Sequence, residues 1–309
     1  MPTTPLDATT YTAASYAQQT RIAYTADWEQ FLRWCATHDH VPLPATPTTV
    51  VAFIVAHATA WRPATIARRL SAIRWMHQQA DALNPTDHPH VATVLRGIRR
   101  VRGTAPVQKA PITTDLLRQL LATTGDDLRG IQARAILLLG FASALRRSEI
   151  VALTVADLLP TPDGLVLTIR RSKTDQEQRG MRRGIPRGQH PETCAVRAVA
   201  AWRTAAAIAA GPLFRPVYGR GAGQQAGDRA LHPATVARIV QRAVAQLGLD
   251  PAAYGGHSLR AGLVTSAAIA GVGYEAMLRQ TGHQDLRSLR RYIRDPELFR
   301  DNAAAHVGL

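Results

Sequence analysis

The sequence has few cysteines, few lysines and no long apolar run, and each shortage excludes a class of protein. Its two cysteines, Cys35 and Cys194, lie far apart in apolar contexts, so we expect neither a disulfide framework nor a cysteine-based zinc site. No run of about 18 apolar residues occurs, and the N-terminus lacks the basic and apolar segments of a signal peptide. Glycine-rich nucleotide-binding motifs are also missing. We therefore expect a cytoplasmic globular protein that holds no metal and no cofactor.

Acidic residues are scarce too. The sequence has 22 of them and 37 lysines and arginines, which gives a formal net charge of +15. Such an excess favours a polyanionic partner. A nucleic acid is favoured over an acidic membrane surface, because no isolated basic amphipathic helix is present as an anchor. The alternative is an arginine-rich composition with no binding role.

Only two of the basic residues are lysines, Lys109 and Lys173, against 35 arginines. A guanidinium does not usefully give up its proton, whereas the pKa of an ammonium can be tuned downward. A lysine retained among so many arginines is therefore a candidate proton donor. Lys173 follows a β-rich stretch at 165–169 and precedes a candidate strand at 180–186, which predicts a hairpin with Lys173 near its tip. An ordinary surface lysine is the alternative, more so for Lys109.

Helical periodicity dominates residues 14–101, and a linker follows. Apolar residues such as Trp28 and Phe31 recur at helical spacing in the first long helix. After the linker, helical patterns resume around the predicted hairpin. We predict a mainly α fold with a small β-sheet, divided into a helical domain over 1–105 and a second domain over 106–309. The linker is marked by Gly103, Pro106 and Pro111.

Several arginines of the first domain are candidates for contacts with DNA phosphates. The third predicted helix, about residues 64–80, turns Ile66, Leu70 and Ile73 inward, and its arginines lie largely off that apolar stripe. The next helix ends in a basic cluster. A solvated polar face is the alternative for both sets. The candidates are Arg68, Arg69, Arg74, Arg99, Arg100 and Arg102.

The most informative feature is an ordered set of six side chains in the C-terminal half. Two guanidiniums can clamp the non-bridging oxygens of a phosphate. Imidazoles and an ammonium can transfer protons, and a phenol can attack phosphorus to form a covalent phosphotyrosine. The set therefore indicates phosphodiester cleavage without a metal. Its members are Arg146, Lys173, His257, Arg260, His283 and Tyr292.

The first arginine of the set lies where a buried helix is predicted to end. Glu149 follows Arg146 by three residues, so its carboxylate can hold the guanidinium rigidly. The neighbouring Arg147 could exchange roles with Arg146. A purely structural ion pair is the alternative reading of this pair.

The later members have contexts that suit a phosphate. His257 and Arg260 are three residues apart at the start of a predicted helix, where the positive end of the helix dipole favours an anion. Tyr292 is flanked by arginines, and positive charge favours the phenolate form of a tyrosine. Taken singly, each histidine could be a packing or capping residue, and Tyr292 could lie on an amphipathic surface.

The segments that carry these residues resemble the tyrosine recombinase (phage integrase) family. Residues 14–101 also resemble the helical core-binding domain of that family, so the resemblance covers nearly the whole chain. The short ending after Tyr292 is similar to the Cre-like branch. The matching segments are Ala144-Leu-Arg-Arg-Ser-Glu-Ile, Lys173 on its hairpin, His257-Ser-Leu-Arg260, Thr281-Gly-His283, and Tyr292 nine residues after that histidine.

The resemblance implies a C-shaped clamp on duplex DNA, with a helical, SAM-like core-binding domain on one face and an α+β catalytic domain on the other. It implies that Tyr292 attacks the scissile phosphate to give a 3′-phosphotyrosyl link and a free 5′-hydroxyl. The other roles that it implies are phosphorane stabilisation by Arg146 and Arg260, a further hydrogen bond from His283, protonation of the leaving oxygen by Lys173, help to the tyrosine from His257, and orientation of Arg146 by Glu149.

The resemblance also implies a site-specific recombinase that works through a Holliday junction at the nucleoid. The expected partners are double-stranded DNA with inverted repeats and three further copies of the chain, joined through a final helix at about residues 296–307. Two alternatives use the same residue types. A type IB topoisomerase would cleave strands as a monomer without a specific site, and a non-catalytic architectural protein would bind DNA and form no covalent adduct.

Overall fold

The computed structural model describes residues 16–105, 108–170, 180–290 and 292. The chain divides into two units, Met1–Val107 and Gln108–Leu309. The boundary that the linker composition predicts, after residue 105, lies two residues before that division. Lys173 and the predicted final helix at 296–307 fall outside the described residues. Within the described ranges, no helix is both long and apolar enough to span a bilayer.

The described part of the first unit is helical. Three of its helices begin at a proline, which suits the first helical position because the missing N–H would have no partner there. The core is aromatic: Phe31 and Phe53 are fully buried, with ring centroids 5.0 Å apart in an edge-on arrangement. The helices are α1 Gln18–Thr37, α2 Pro47–Ala56, α3 Pro63–Gln79 and α4 Pro89–Arg102.

The second unit packs its helices around α6, whose residues Ile136, Leu137 and Leu139 have no exposed surface. A helix that is apolar on most sides is stable only when other elements surround it. The elements around it hold the residues of interest below. The helices of this unit are α5 Thr114–Ala122, α6 Leu128–Ser143, α7 Arg147–Ala152, α8 Ala195–Ala205, α9 Pro233–Gln246, α10 Gly256–Ile269, α11 Tyr274–Thr281 and α12 Leu286–Arg290.

The predicted hairpin is part of a three-stranded antiparallel sheet in the order β1-β2-β3. The strands are β1 Leu158–Thr161, β2 Gly164–Ile169 and β3 Met181–Pro186. β2 and β3 match the predicted stretches, whereas β1 was not predicted because it contains Pro160, a residue typical of turns. A proline is tolerated there because β1 is an edge strand. A second, two-stranded sheet joins β4 Val217–Tyr218 to β5 Gln225–Ala226.

The segment that enters the second unit runs along α10 in close contact with it. The Ala110 N–H donates to the Ala253 carbonyl at 2.8 Å, and the Ile112 N–H donates to the Ser258 carbonyl at 3.0 Å. A Cβ added at Gly262 would lie 1.8 Å from the Ile112 carbonyl oxygen. Glycine at this position therefore permits the main chain to approach α10, the helix that carries Arg260.

Gly262→Ala should destabilise the second unit by about 1 to 3 kcal/mol, because the new methyl group can be accommodated only by moving main chain. Urea unfolding followed by circular dichroism measures the change. Gly184→Ala in β3 is the matched control, because a Cβ there meets nothing within 4 Å. Equal unfolding midpoints for the two variants would show that the close approach to Ile112 is unimportant.

Candidate active site

Three elements of the second unit converge on the C-terminal end of α6. The helix ends at Ser143, and Ala144 adopts the left-handed conformation with a φ of 50°. The last carbonyl groups of a helix need partners from outside it. Three successive carbonyls here accept side-chain hydrogen bonds from α11, β3 and α10, which ties those elements together. The pairs are Gln280 Nε2 to Ala142 O at 2.7 Å, Arg183 Nη1 to Ser143 O at 2.6 Å, and Arg260 Nη1 to Ala144 O at 2.7 Å.

Arg146 follows this junction immediately, as the N-terminal capping residue of α7. Glu149 holds it at two points: one carboxylate oxygen accepts from the Arg146 main-chain N–H at 2.8 Å, and the other accepts from Arg146 Nη1 at 2.7 Å. Glu149 is buried and Arg146 is half-buried, whereas Arg147 is exposed. The geometry therefore favours Arg146 over Arg147 as the arginine of the site.

Arg260 lies under the surface on α10, with 1% of its area exposed. Besides its bond to Ala144, it places Nη2 2.9 Å from Nε2 of His283. His283 follows Gly282, which has a φ of 68° and approaches Arg183 and Met181 so closely that a Cβ would clash with both. The turn after α11 thus brings His283 onto the guanidinium of Arg260.

Arg183 is a member of this cluster that the sequence analysis missed. It is 3% exposed, and besides the Ser143 carbonyl its guanidinium also reaches the Thr281 carbonyl at 2.8 Å. The signal that could have revealed it is strand parity, because Arg183 shares the inward face of β3 with Ile185. An arginine on the buried face of a strand requires local partners.

The cluster has more positive than negative charge. The pKa of Arg260 is lowered to about 10, chiefly by burial and also by the neighbouring Arg146 and Arg183, against the opposing effects of Tyr292 and Glu149. Burial also lowers the pKa of Arg183, with Arg146 acting in the same direction. All three guanidiniums remain charged at neutral pH. An anion placed among them would relieve the repulsion that these shifts report.

His283 is held neutral by the same surroundings. Burial, followed by Arg260, Arg146 and Arg183, lowers the pKa of His283 from its usual 6.5 to about 3. The ring therefore carries no charge at physiological pH and can accept a proton or a hydrogen bond at one nitrogen while donating at the other.

Tyr292 lies against His283, with ring centroids 5.2 Å apart. Its main chain is fixed at both ends: the N–H donates to the Leu289 carbonyl at 2.9 Å, and the carbonyl accepts from Thr265 Oγ1 at 3.0 Å. Thr265 is on α10, the helix of Arg260. The structure therefore brings four of the six predicted residues together, namely Arg146, Arg260, His283 and Tyr292.

The other two members of the set are placed differently. His257 is exposed at the second position of α10, three residues before the buried Arg260. The two share a helix start, as predicted, but differ in burial. Lys173 lies outside the described residues.

The predicted DNA-contacting arginines belong to the first unit, and most make contacts within it. Arg68 forms a bidentate pair with Asp27, with N–O distances of 2.7 and 2.9 Å, but its side chain stays half exposed. Arg74 pairs with Asp87. At the end of α4, Arg102 donates to the Thr59 carbonyl at 2.7 Å. The arginines exposed at this helix end are Arg99, Arg100 and Arg102.

The structure places Arg69, a predicted candidate for a DNA phosphate contact, inside the first unit. Its guanidinium carbon lies 3.7 Å from the centre of the Trp61 ring, it donates to Gln30, and only 9% of the residue is exposed. Stacking on an aromatic face lets an arginine be buried while keeping its charge. Arg69 therefore stabilises the first unit from inside.

A site that suits a phosphate beside a nucleophile is formed in the second unit by Arg146, Arg260, His283 and Tyr292. Guanidiniums match the oxygens of a tetrahedral oxyanion, and a phenol ring lies on the same cluster. A phenolate among arginines can attack phosphorus, and fixed donors around the phosphorus stabilise the charge that develops. The arrangement supports covalent phosphoryl transfer to Tyr292.

Comparison with known proteins agrees with this chemistry. Residues 111–297, more than half of the chain, match the phage integrase family, and residues 11–82 match the phage integrase N-terminal SAM-like domain. An integrase/recombinase xerD homolog from Selenomonas ruminantium is 38% identical over 94% of this chain and 85% of its own length. Recombinase cre from Escherichia phage P1 is 25% identical over 85% of this chain and 80% of its own length.

Solved structures share the fold. A lambda integrase fragment, determined as a dimer bound to a core site, superimposes with a TM-score of 0.62 at 17% identity, covering 90% of this chain and 89% of the other. XerH recombinase bound to its palindromic difH substrate superimposes with a TM-score of 0.56 at 14% identity, covering 80% of this chain and 68% of the other.

The depressed pKa of His283 makes the second unit sensitive to acid. Between about pH 6.5 and about pH 3 this histidine is protonated in the unfolded chain but neutral in the folded chain. The free energy of unfolding therefore decreases as pH falls through that range. His283→Gln should therefore flatten the dependence of the melting temperature on pH. Thermal unfolding at a series of pH values measures it.

The exposed His190, in the same unit, provides the control. His190→Gln should leave the acid dependence as it is in the parent protein. If the His283→Gln curve runs parallel to the parent curve, His283 is not the group that is held neutral.

Proposed function

The chain belongs to the phage integrase family of DNA breaking and rejoining enzymes, and from this premise we propose that Tyr292 is its nucleophile in site-specific recombination. The observation that carries the proposal is the convergence of Tyr292 with Arg146, Arg260 and His283 on one buried cluster. These residues come from separate parts of the sequence, and a purely structural role would not require a phenol beside an excess of guanidinium charge.

The reaction has two balanced steps. In the first, Tyr292 Oη attacks the scissile phosphorus, the bond from phosphorus to the 5′-oxygen breaks, and a 3′-phosphotyrosyl link forms. The tyrosine proton passes to His257 and the leaving 5′-oxygen takes a proton from Lys173, both roles resting on family resemblance. In the second step, a 5′-hydroxyl from a partner strand gives its proton to Lys173 and attacks the phosphotyrosine, the bond from phosphorus to Tyr292 Oη breaks, and Tyr292 takes back the proton held by His257. The covalent link conserves the phosphodiester bond energy, so no nucleotide cofactor is required.

Arg146 and Arg260 stabilise the pentacoordinate phosphorus in this proposal. Glu149 fixes the first, and the Ala144 carbonyl together with His283 fixes the second. Donors that are already aimed before the reaction contribute on the order of 10² to 10³ each in rate. The bound phosphate also offsets the repulsion among Arg146, Arg183 and Arg260.

The partners follow from the same premise. We propose that two copies bind the inverted repeats of one duplex site, that four copies assemble on paired sites, and that the assembly passes through a Holliday junction. The final helix at 296–307, outside the described residues, is the proposed contact between copies. Exposed arginines at the end of α4 are the proposed phosphate contacts of the first unit, and the proposed setting is the nucleoid.

Recombination is favoured over topoisomerase activity by the relatives, since a protein 38% identical over nearly the whole chain is described as an integrase/recombinase. The two activities can be separated directly. A topoisomerase would relax supercoiled plasmids that lack any specific site. The proposed recombinase requires two sites and produces exchanged products.

Tyr292→Phe should retain DNA binding and lose the covalent adduct, because only the attacking oxygen is removed. The test uses a nicked suicide substrate built on the site selected by the protein from a random DNA pool, with the adduct detected by gel shift under denaturing conditions. Tyr254→Phe, a tyrosine before α10, serves as the control and should form adduct normally. An adduct that persists in Tyr292→Phe would show that another residue is the nucleophile.

Arg146→Lys should reduce the rate of adduct formation by about 10² or more at saturating DNA, because one ammonium cannot make the two parallel hydrogen bonds of a guanidinium. The charge opposite Glu149 is kept, which limits damage to the fold. Arg279→Lys on α11, whose side chain is 75% exposed, is the matched control and should react at the parent rate. Equal rates for the two variants would remove Arg146 from the site.

A further inference from the structure

The hydrogen bonds around His283 form a single chain. The donor and the acceptor of each bond follow from the groups at the two ends of that chain. The chain runs from the Met277 carbonyl through the Thr281 hydroxyl and the His283 ring to the Arg260 guanidinium. The distances are 2.7 Å from Thr281 Oγ1 to Met277 O, 2.7 Å from Thr281 Oγ1 to His283 Nδ1, and 2.9 Å from His283 Nε2 to Arg260 Nη2.

One end of the chain is a guanidinium. Arginine has N–H donors and no acceptor, so Arg260 must donate to His283 Nε2. That nitrogen therefore carries a lone pair and no proton.

The other end is a main-chain carbonyl, which can only accept. Thr281 donates its one hydroxyl proton to the Met277 carbonyl, so its oxygen can only accept a hydrogen bond from His283. Nδ1 must then carry the proton. The two ends lead independently to the same form of the ring, a neutral imidazole protonated at Nδ1.

We propose that Thr281 is a positioning residue that holds His283 in this Nδ1–H form, so that the Nε2 lone pair fixes the Arg260 guanidinium in its phosphate-binding orientation. Thr281 is suited to this role because it is 1% exposed and its own carbonyl is held by Arg183 at 2.8 Å. A hydroxyl fixed in this way has little freedom to turn. The tautomer of a histidine is set by the partner of its other nitrogen.

The proposal has a consequence for the reaction, and this part rests on the proposed function. In the DNA-free protein, His283 does not offer a proton at Nε2, where it would meet the phosphate. Its first role is to hold Arg260, whose second N–H group is already held by Ala144. Arg260 is then fixed at both nitrogens before the phosphate arrives, and a phosphate oxygen finds its donor already oriented.

The tautomer can be read directly in the full-length protein. Long-range proton–nitrogen NMR correlations on a sample labelled with ¹⁵N-histidine distinguish a protonated Nδ1 from a protonated Nε2, and the His283 signal is assigned by its loss in His283→Gln. We expect the Nδ1–H form in the parent and in Thr281→Ser, which keeps the hydroxyl. Thr281→Val keeps the shape but leaves the buried Nδ1–H without its acceptor, a cost that competes with the bond from Arg260. We therefore expect a mixture of the two forms in this variant.

The second readout is the rate of adduct formation at saturating DNA. We expect Thr281→Val to lower this rate on the order of tenfold with DNA binding unchanged, as is typical when an outer hydrogen bond to an active-site histidine is lost, and Thr281→Ser to restore it. Thermal unfolding verifies that both variants are folded at the assay temperature.

Three outcomes would overturn the proposal. They are a parent His283 protonated at Nε2 or at both nitrogens at neutral pH, a Thr281→Val variant that reacts slowly with its tautomer unchanged, and one whose tautomer changes while the rate does not. The NMR result does not depend on DNA cleavage, so a failure of the proposed function would appear separately, as a parent protein that forms no adduct.

Discussion

The second unit depends on how the open carbonyl groups at the end of α6 are satisfied. A buried helix end with unpaired carbonyls is costly, and so is a buried guanidinium without partners. Here the guanidiniums and the carbonyls satisfy each other. Arg183 and Arg260 donate to the carbonyls of Ser143 and Ala144 at the negative end of the helix dipole. Carbonyl dipoles satisfy the hydrogen bonds but do not neutralise the charges. This part of the fold therefore keeps an excess of positive charge, which favours an anion.

The surrounding elements follow from that junction. α10 supplies Arg260 and the hydroxyl that holds the main chain of Tyr292, β3 supplies Arg183, and α11 ends beside both in the turn that presents His283. The segment before α5 lies against α10 and fixes its position from the other side. The proposed phosphate-binding site is thus formed by elements that the packing of this unit requires in any case.

The parts of the structure that were predicted from sequence are those whose conformation depends mainly on a short segment of the chain. Helical periodicity locates the helices, and the spacing of the charged residues indicates the site. β1 was missed because Pro160 resembles a turn until its place at a sheet edge is known. Arg183 was missed because its role is set by Ser143 and Thr281, which are distant in sequence and which no local pattern reveals. Helical periodicity likewise does not show that Arg69 is buried, because that depends on the packing of its guanidinium against Gln30 and Trp61.

The hydroxyl of Thr265 joins the main chain of Tyr292 to the helix that carries Arg260. This bond ties the proposed nucleophile to the protomer that supplies Arg260, which favours cleavage in cis. In the proposed assembly, each protomer then holds Tyr292 beside its own Arg260 and His283. Under that proposal, a neighbouring copy would control the order of cleavage by acting on the approach of Tyr292 to the phosphate.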